Sequence, residues 1–512
     1  MNSSSATLLC SLLLAASTAL FLRRRARKLP PLPPGPKKLP LVGNLFSLPS
    51  HSEWETYAKW SKECNSDIIH LDAAGQSIVV LCSLEAAEDL LDKRSGIYSD
   101  RARLNMFNDL VIKDDFMFAF EKYGDTWRTH RRLFYREFSP TAVDRYHDQE
   151  LKEALKLLEL LLDTPHEFVD HFHHVMGSLL MSIIYGIDVQ RSNDPYLHTA
   201  EMAARAMSEA AVPGRYLVDL ISPLKYIPDW FPGAGFKRQA AEGNRLVKEM
   251  RDVPFMHTRQ AAMQGTARPC FVTEYMREGK IESVEEEIAI KQVARTAYAA
   301  GTDTITATLI AFLRTMVEHP EVQKKAQREL DSVVAAGQLP SLADEKALPY
   351  VTAVIKETMR RWPVGPIGIP HFVATDDIYR SYRIPGGSIV IANLWAMLHD
   401  ESDYPDPQLF NPERFLHGGQ LNPSIRDPLS IVFGFRRRVC PGRHMAWDTV
   451  WITMASILAT FDISKALDAD GRPIEPEQGY TSQLVCVPVP FECSIKPRSK
   501  DVEELIRSMS MS

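Results

Sequence analysis

From about Ser139 to Pro340, apolar positions recur mostly at helical spacing, and this stretch sets the character of the chain. Its clearest helix starts at Ser283. Ser283 and Glu286 form a capping-box pattern, and Glu285 to Glu287 suit the positive end of a helix dipole. Periodic apolar residues continue to Val317 and Pro320 then breaks the run, so the helix spans roughly 50 Å. Further helices are predicted between Pro349 and Pro363 and, strongly apolar, over Trp447 to Phe461. Elsewhere the pattern shortens. Ser77 to Cys82 is a strand candidate, and Tyr379 to Ala392 reads as strand, turn at Pro385-Gly386-Gly387, strand. Gln483 to Ile495 alternates like a hairpin around Pro488 and Pro490. The expected fold class is mainly α with a minor β region.

The N-terminus follows neither period. Ala6 to Leu22 is apolar, softened by Ser11, Ser17 and Thr18, and as a helix it spans about 25 Å, at the short end for a bilayer. Arg23, Arg24, Arg25, Arg27 and Lys28 follow at once. A secretory signal carries its positive charge ahead of the apolar stretch, so this order predicts one transmembrane helix with the N-terminus in the lumen and the body in the cytosol. A cleaved signal, helped by small residues near Ala15 to Ala19, is the other reading. Pro30 to Pro36 is too rich in proline for helix and favours a stiff extended segment. The expected organisation is an anchor with its basic stop-transfer cluster at 1–28, a proline-rich hinge at 29–36 and one continuous domain at 37–512.

Composition narrows the classes. The 512 residues carry a net charge of −6, and no long basic tail or zinc-finger spacing points to nucleic acid. Seven scattered cysteines make a disulfide framework a poor reading and leave room for one with a special task.

That cysteine is Cys440, in Phe433-Gly434-Phe435-Arg436-Arg437-Arg438-Val439-Cys440-Pro441-Gly442. Three arginines before it favour thiolate over thiol, and thiolate is the form that binds iron. The helix that follows aims its first amides at the sulfur. Ala300-Gly301-Thr302-Asp303-Thr304 interrupts the centre of the long helix, where glycine costs about 1 kcal/mol against alanine. This predicts a local opening against which a small molecule sits, with Thr304 offering a hydroxyl and Asp303 a proton. The bland alternative is a solvated turn. Glu357 and Arg360, three apart, share a helix face, and Arg414 of Pro412-Glu413-Arg414-Phe415 could join them in a buried charge network. Trp127 and Arg131, four apart in Tyr123-Gly124-Asp125-Thr126-Trp127-Arg128-Thr129-His130-Arg131-Arg132, could present an indole N–H and a guanidinium to a pair of carboxylates.

These motifs stand in one order: W-x-x-x-R, A-G-T-D-T, E-x-x-R, P-E-R-F, then F-x-x-x-x-R-x-C-x-G. Together they resemble the cytochrome P-450 superfamily over essentially the whole chain, and in detail its microsomal fungal members that tailor secondary metabolites. The resemblance implies the cytochrome P-450 fold with one N-terminal transmembrane helix, and haem b (iron protoporphyrin IX) held by Cys440 as iron ligand. It implies haem propionates bound by Trp127, Arg131, His371 and Arg438, protons managed by Thr304 and Asp303, and a cysteine loop braced by Glu357, Arg360 and Arg414. One position departs from the pattern: Arg436 stands where the loop ordinarily has glycine, at a cost of roughly 1–2 kcal/mol if the backbone there has positive φ.

The implied reaction is insertion of one oxygen atom from O2 into a C–H bond or alkene of an apolar small molecule, a terpenoid, alkaloid or polyketide. A reductase-independent haem-thiolate isomerase or dehydratase, or a non-catalytic haem-binding membrane protein, are the alternatives. No Gly-rich dinucleotide fingerprint is present and too few residues follow the last hairpin for a flavin domain, so electrons are expected from NADPH through a separate NADPH–cytochrome P-450 reductase, with cytochrome b5 a possible second donor. The reductase is expected on a basic face formed with Arg436, Arg437, Arg443 and Arg131. The expected location is the endoplasmic reticulum membrane, single-pass, with the catalytic body cytosolic. Tyr226, Ile227, Pro228, Trp230 and Phe231 are expected to form a membrane-facing lip. By analogy Ala297, Ala300, Val364, Ile367 and Leu484 line the substrate pocket.

Overall fold

The computed structural model describes residues 29–113, 117–212, 215–277 and 283–509. Ala6 to Leu22 and the basic cluster after it lie outside the described residues, and so does the expected transmembrane helix. Among the described residues, no helix is long and apolar enough to cross a membrane.

Helices dominate, as their periodicity predicts. Six of them position the site: α1 (Asp125–Phe138), α2 (His147–Asp163), α3 (Phe168–Tyr185), α4 (Val284–Glu318), α5 (Pro349–Arg361) and α6 (Arg443–Thr460). α4 is the central beam. Ser283 and Glu286 cap it reciprocally, and Pro320 starts the next helix after His319. Most of its side chains from Ile290 to Val317 are buried, against α3, α5 and α6, with an interruption at Ala300, Gly301, Asp303 and Thr304. A helix buried on every side belongs to the interior of a large domain.

The expected opening at Gly301 is not a break in the helix: α4 runs through unbroken, and the open space lies beside Ala300, Gly301, Asp303 and Thr304. A Cβ at Gly301 would lie 2.7 Å from Leu180 Cδ1, so glycine here lets α3 approach. The Thr304 hydroxyl donates to the Ala300 carbonyl at 2.7 Å, and Thr308 donates to Thr304 at 2.8 Å. These threonines satisfy themselves on their own helix.

The main sheet has five strands, β1 (Ile68–Ala73), β2 (Gln76–Leu81), β3 (Asp100–Arg101), β4 (His371–Phe372) and β5 (Ile389–Ala392), in the order β1-β2-β5-β4-β3. β2 is the strand expected at Ser77 to Cys82. Pro385 to Gly387 does turn the chain, but the strands on either side belong to different sheets. Tyr382–Ile384 pairs instead with Asp377–Tyr379. The tight turn between those two uses Arg380 and Ser381 at φ 46° and 71°, with no glycine to announce it. The hairpin expected around Pro488 and Pro490 does not form. Cys493–Pro497 pairs with Phe461–Lys465, and Pro488 makes a single bridge to Tyr480. Two prolines remove the donors a ladder needs.

The described part of the proline-rich segment is tied to the body. The Pro34 carbonyl accepts from His70 N at 2.8 Å and the Pro31 carbonyl from Arg383 N at 2.7 Å. Gly35 is pressed so close to β1 that a Cβ would sit 2.1 Å from the His70 carbonyl oxygen.

Candidate active site

A cavity of about 400 Å³ lies between α4 and the loop that carries Cys440. It collects most of the residues singled out from the sequence. Trp127, Arg131, Asp303, Thr304, His371, Arg438 and Cys440 all line it, as do Ala297, Ala300, Val364, Ile367 and Leu484. Phe107, Phe118, Leu180 and Met207 complete a largely apolar wall.

Cys440 ends a tight loop. Its N–H donates to the Phe433 carbonyl at 2.8 Å, and Gly434 turns at φ 77°. α6 begins at Arg443, and the Gly442 amide acts on the sulfur, as the helix-terminus argument expects. The argument from the three arginines is corrected. Arg436 and Arg437 are exposed, with Arg436 3.4 Å from Asp92 and Arg437 on the Tyr123 hydroxyl. Arg438 points to the Ser99 and Glu121 carbonyls at 2.7 and 2.6 Å. The cations that act on the sulfur are Arg131 and Arg443. Burial outweighs them and the amide, so the bare thiol is pushed up. Arg436 does sit at positive φ, 39°.

Four cationic or donor groups crowd one end of the cavity. Arg438 stacks over Trp127, 4.7 Å from the ring centre, and Phe118 stacks on the indole at 5.6 Å. Arg131 donates to the Val439 carbonyl at 2.6 Å, which removes it from the expected exposed basic face. His371 donates through Nδ1 to the Tyr98 carbonyl at 2.8 Å. Burial, then Arg101 and Arg438, hold the His371 ring far below its usual range, and it is neutral.

Arg101 is the residue that sequence reasoning missed. It lines the cavity from β3, 6% exposed, and donates to Ala119 and Pro370 carbonyls, both at 3.1 Å. Burial and then Arg438 pull its guanidinium well down. Arg438 itself is brought to about 10 by burial, with Asp100 and Glu121 opposing that fall. The signal in sequence is only an arginine after Ser99-Asp100.

This end of the cavity is therefore positive and short of acceptors. Trp127 Nε1 and Arg438 Nη1 are buried with no hydrogen-bond partner among the described residues. Buried donors of this kind are costly unless something accepts from them. A flat apolar group bearing two carboxylates, with a metal able to take a thiolate, would satisfy the donors, the apolar walls and Cys440 together. The donor set fits a haem.

Opposite, burial pushes Asp303 up, with His173 opposing and Glu201 reinforcing the shift. Away from the cavity, Glu357, Arg360 and Arg414 meet in one charge network. Arg360 Nε and Nη2 meet the two Glu357 oxygens at 2.7 and 2.9 Å, and Arg414 Nε reaches Glu357 at 3.1 Å. Its outward bonds go to carbonyls of Leu398, Pro405 and Pro407 and to the amide of Asn411. The segment it clamps directly is thus 398–411.

Comparison with known proteins points the same way. The family described as cytochrome P450 matches residues 33–495. The chain is 44% identical to cytochrome P450 monooxygenase 98 of Postia placenta, over 97% of this chain and 96% of that one. It is 44% identical to cytochrome P450 monooxygenase ple1 of Rhodocybe pseudopiperita, over 96% and 95%. It is 38% identical to tryptamine 4-monooxygenase of Psilocybe cyanescens, over 98% and 99%.

Proposed function

The chain belongs to the cytochrome P450 family and is a monooxygenase of it, and from that premise we propose that it hydroxylates or epoxidises an apolar small molecule in secondary-metabolite biosynthesis. The family implies a haem. We assign Cys440 as its iron ligand and Trp127, Arg131, His371 and Arg438, now with Arg101, as the groups that receive its two propionates. When bound, haem with a thiolate ligand supplies the activation of O2 and the transfer of one oxygen atom.

The protein's own residues do the rest. The unpartnered donors of Trp127 and Arg438 fix the cofactor's orientation, and the repulsion between Arg101 and Arg438 is relieved by two carboxylates. A carboxylate beside His371 also favours a second proton on its ring, which turns Nε2 into a donor. Arg131 and the Gly442 amide hold charge on the Cys440 sulfur. Phe107, Leu180, Met207, Ile367 and Leu484 keep water out and orient an apolar substrate. Asp303, whose carboxyl burial raises so that it holds its proton to higher pH than an ordinary aspartate, and Thr304 supply protons on the side facing α4.

Electrons come from NADPH through a separate reductase, with cytochrome b5 as a second possible donor. Exposed Arg128, Arg132, Arg136, Arg436 and Arg437 offer that partner a basic face, so turnover falls as salt rises. Exposed Tyr226, Trp230 (81%) and Phe231 give the body a surface for the endoplasmic reticulum membrane, with 1–28 as its anchor, 29–36 as the hinge and 37–512 as the catalytic domain.

The observation that carries this reading is the single cavity that holds Cys440, the unpartnered donors and Asp303 together. The test is the reduced full-length protein under CO. A thiolate-type shifted Soret band is expected, and it disappears in Cys440→Ala. The same band in both proteins removes Cys440 from the assignment. Co-expression with a reductase in a substrate-producing host, followed by mass spectrometry, then identifies the product.

A further inference from the structure

Outside the cavity, α2 and α6 bring together three groups that the reaction does not use. His147 and Glu150 stand three apart on the first turn of α2, and Asp448 stands on the second turn of α6. One ligand atom of each lies within 4.8 Å of the other two. His147 Nε2 is 3.5 Å from Asp448 Oδ2 and 3.8 Å from Asp144 Oδ1.

The cluster is poorly satisfied as it stands. Glu150 is 2% exposed. One of its oxygens accepts from the Thr449 hydroxyl at 2.6 Å. The other, Oε2, is buried and has no hydrogen-bond partner among the described residues, and neither has His147 Nε2. The groups acting on these side chains are mostly acidic: Asp448 on Glu150, and Asp144 and Glu345 on Asp448, with His147 the one basic group. Burial then pushes Glu150 up to about 8 and Asp448 up to about 6. A buried imidazole nitrogen held only by long contacts to Asp448 and Asp144, and a buried carboxylate oxygen with no partner, are the two donor types a borderline-soft divalent cation takes.

We propose that His147, Glu150 and Asp448 bind a zinc ion that ties α2 to α6. Two ligands each about 2.1 Å from a tetrahedral zinc stand about 3.4 Å apart. The separation of His147 Nε2 from Asp448 Oδ2, 3.5 Å, meets that edge without rearrangement. Glu150 Oε2 supplies the third ligand. The partial exposure of the His147 and Asp448 side chains, 35% and 19%, leaves the fourth position to water. One nitrogen and two carboxylates suit zinc better than magnesium, which prefers oxygen and keeps its waters. The ion would fasten the helix that begins three residues after Cys440.

The test uses the untagged full chain loaded with haem and stripped of other metals by a chelator. Zinc chloride is titrated in competition with a chromophoric chelator, and the thermal midpoint is followed alongside. One saturable equivalent is expected, with a rise in midpoint that magnesium chloride does not reproduce. His147→Ala and Asp448→Asn each lower zinc affinity at least tenfold, while the reduced CO spectrum stays as in the parent. Equal zinc affinity in parent and His147→Ala overturns the assignment, and so does a parent that takes up no saturable equivalent. His147 is partly exposed, so its variant remains informative should Asp448→Asn fail to fold.

Discussion

Arg131 donates to the carbonyl of Val439, the residue before Cys440, at 2.6 Å. One guanidinium on α1 thus holds the cysteine loop and places a positive charge beside the sulfur. Hydrogen bonds from charged groups contribute about 1.5–3 kcal/mol. Arg131→Ala is expected to speed haem loss about tenfold or more, with Arg131→Lys intermediate because it keeps charge but not the planar fork. Haem transfer to apomyoglobin measures this directly. An unchanged rate in Arg131→Ala would show that the loop holds itself.

Arg436 sits at φ 39°, a conformation that glycine adopts without cost. Its side chain is exposed, 3.4 Å from Asp92, and a surface pair of that kind contributes little. Relief of about 1–2 kcal/mol of backbone strain, less about 0.5–1 kcal/mol for the freer unfolded chain, leaves Arg436→Gly more stable by roughly 0.5–1 kcal/mol. Arg436→Ala keeps the strained backbone and gains nothing. The comparison of Gly with Ala in urea unfolding of the haem-loaded protein isolates φ from charge. Equal midpoints for the two variants would dismiss strain as the cause.

His70 sets a pH dependence. Its Nδ1 accepts from Lys38 Nζ and its Nε2 donates to Ser77 Oγ, both at 2.8 Å, so the ring is neutral. Burial, then Lys38, lowers it to about 4. The unfolded chain, with an ordinary histidine near 6.5, therefore binds more protons between pH 6.5 and 4. Stability from this group is full above pH 6.5 and is lost as pH falls towards 4. The loss by pH 5 is roughly 1–2 kcal/mol. His70→Gln is expected to flatten that part of the profile of thermal midpoint against pH. A parallel slope in the variant would place the acid sensitivity elsewhere.

Much of this was legible because it is local. The cap at Ser283 and Glu286, the stop at Pro320 and the ion pair of Glu357 with Arg360 need only neighbours in sequence. The cavity set of Trp127, Arg131, Asp303, Thr304 and Cys440 was readable as an ordered series of motifs. What could not be read depends on distant chain. Arg101 gains its place from carbonyls at Ala119 and Pro370. Gly301 answers to Leu180 on another helix. Arg436, Arg437 and Arg438 lie on a 3-10 turn, and their side chains end on Asp92, on Tyr123 and on the Ser99 and Glu121 carbonyls. Pattern reading assigned all three to Cys440, because sequence proximity says nothing about where a long side chain ends.

Glu357 and Arg360 are both completely buried, and their bonds hold the 398–411 segment by its backbone. Removal of Glu357 leaves Arg360 and Arg414 without their counter-charge, at about 3–5 kcal/mol, whereas removal of Arg360 leaves Glu357 paired with Arg414 alone and costs less. Glu357→Leu is expected to yield little folded haem protein, and Arg360→Leu somewhat more. The double variant is expected to recover part of the loss of Glu357→Leu, because only Arg414, still bonded to the Pro405 and Leu409 carbonyls, is then left without a counter-charge. Yield of the CO-binding species measures it. A double variant as poor as the sum of the singles would mean that the backbone bonds, rather than the charge pair, carry the stability.

Asp303 and Thr304 make separable predictions. Burial raises the Asp303 carboxyl, so it keeps its proton to higher pH than an ordinary aspartate. If that proton serves the reaction, the rate falls as pH rises through the raised value and the carboxyl ionises. Asp303→Asn cannot ionise, so it loses this limb and turns over roughly 10²-fold more slowly, at the low end of what a positioned proton donor contributes. Thr304 donates to Ala300 in the resting helix at 2.7 Å and must turn to serve the cavity. Thr304→Ala therefore leaves α4 intact and the CO spectrum normal, but lowers the product formed per NADPH consumed. Stopped-time product counts against NADPH oxidation, across pH, distinguish the two roles. A coupling ratio unchanged in Thr304→Ala, or a pH limb retained in Asp303→Asn, removes that residue from proton delivery.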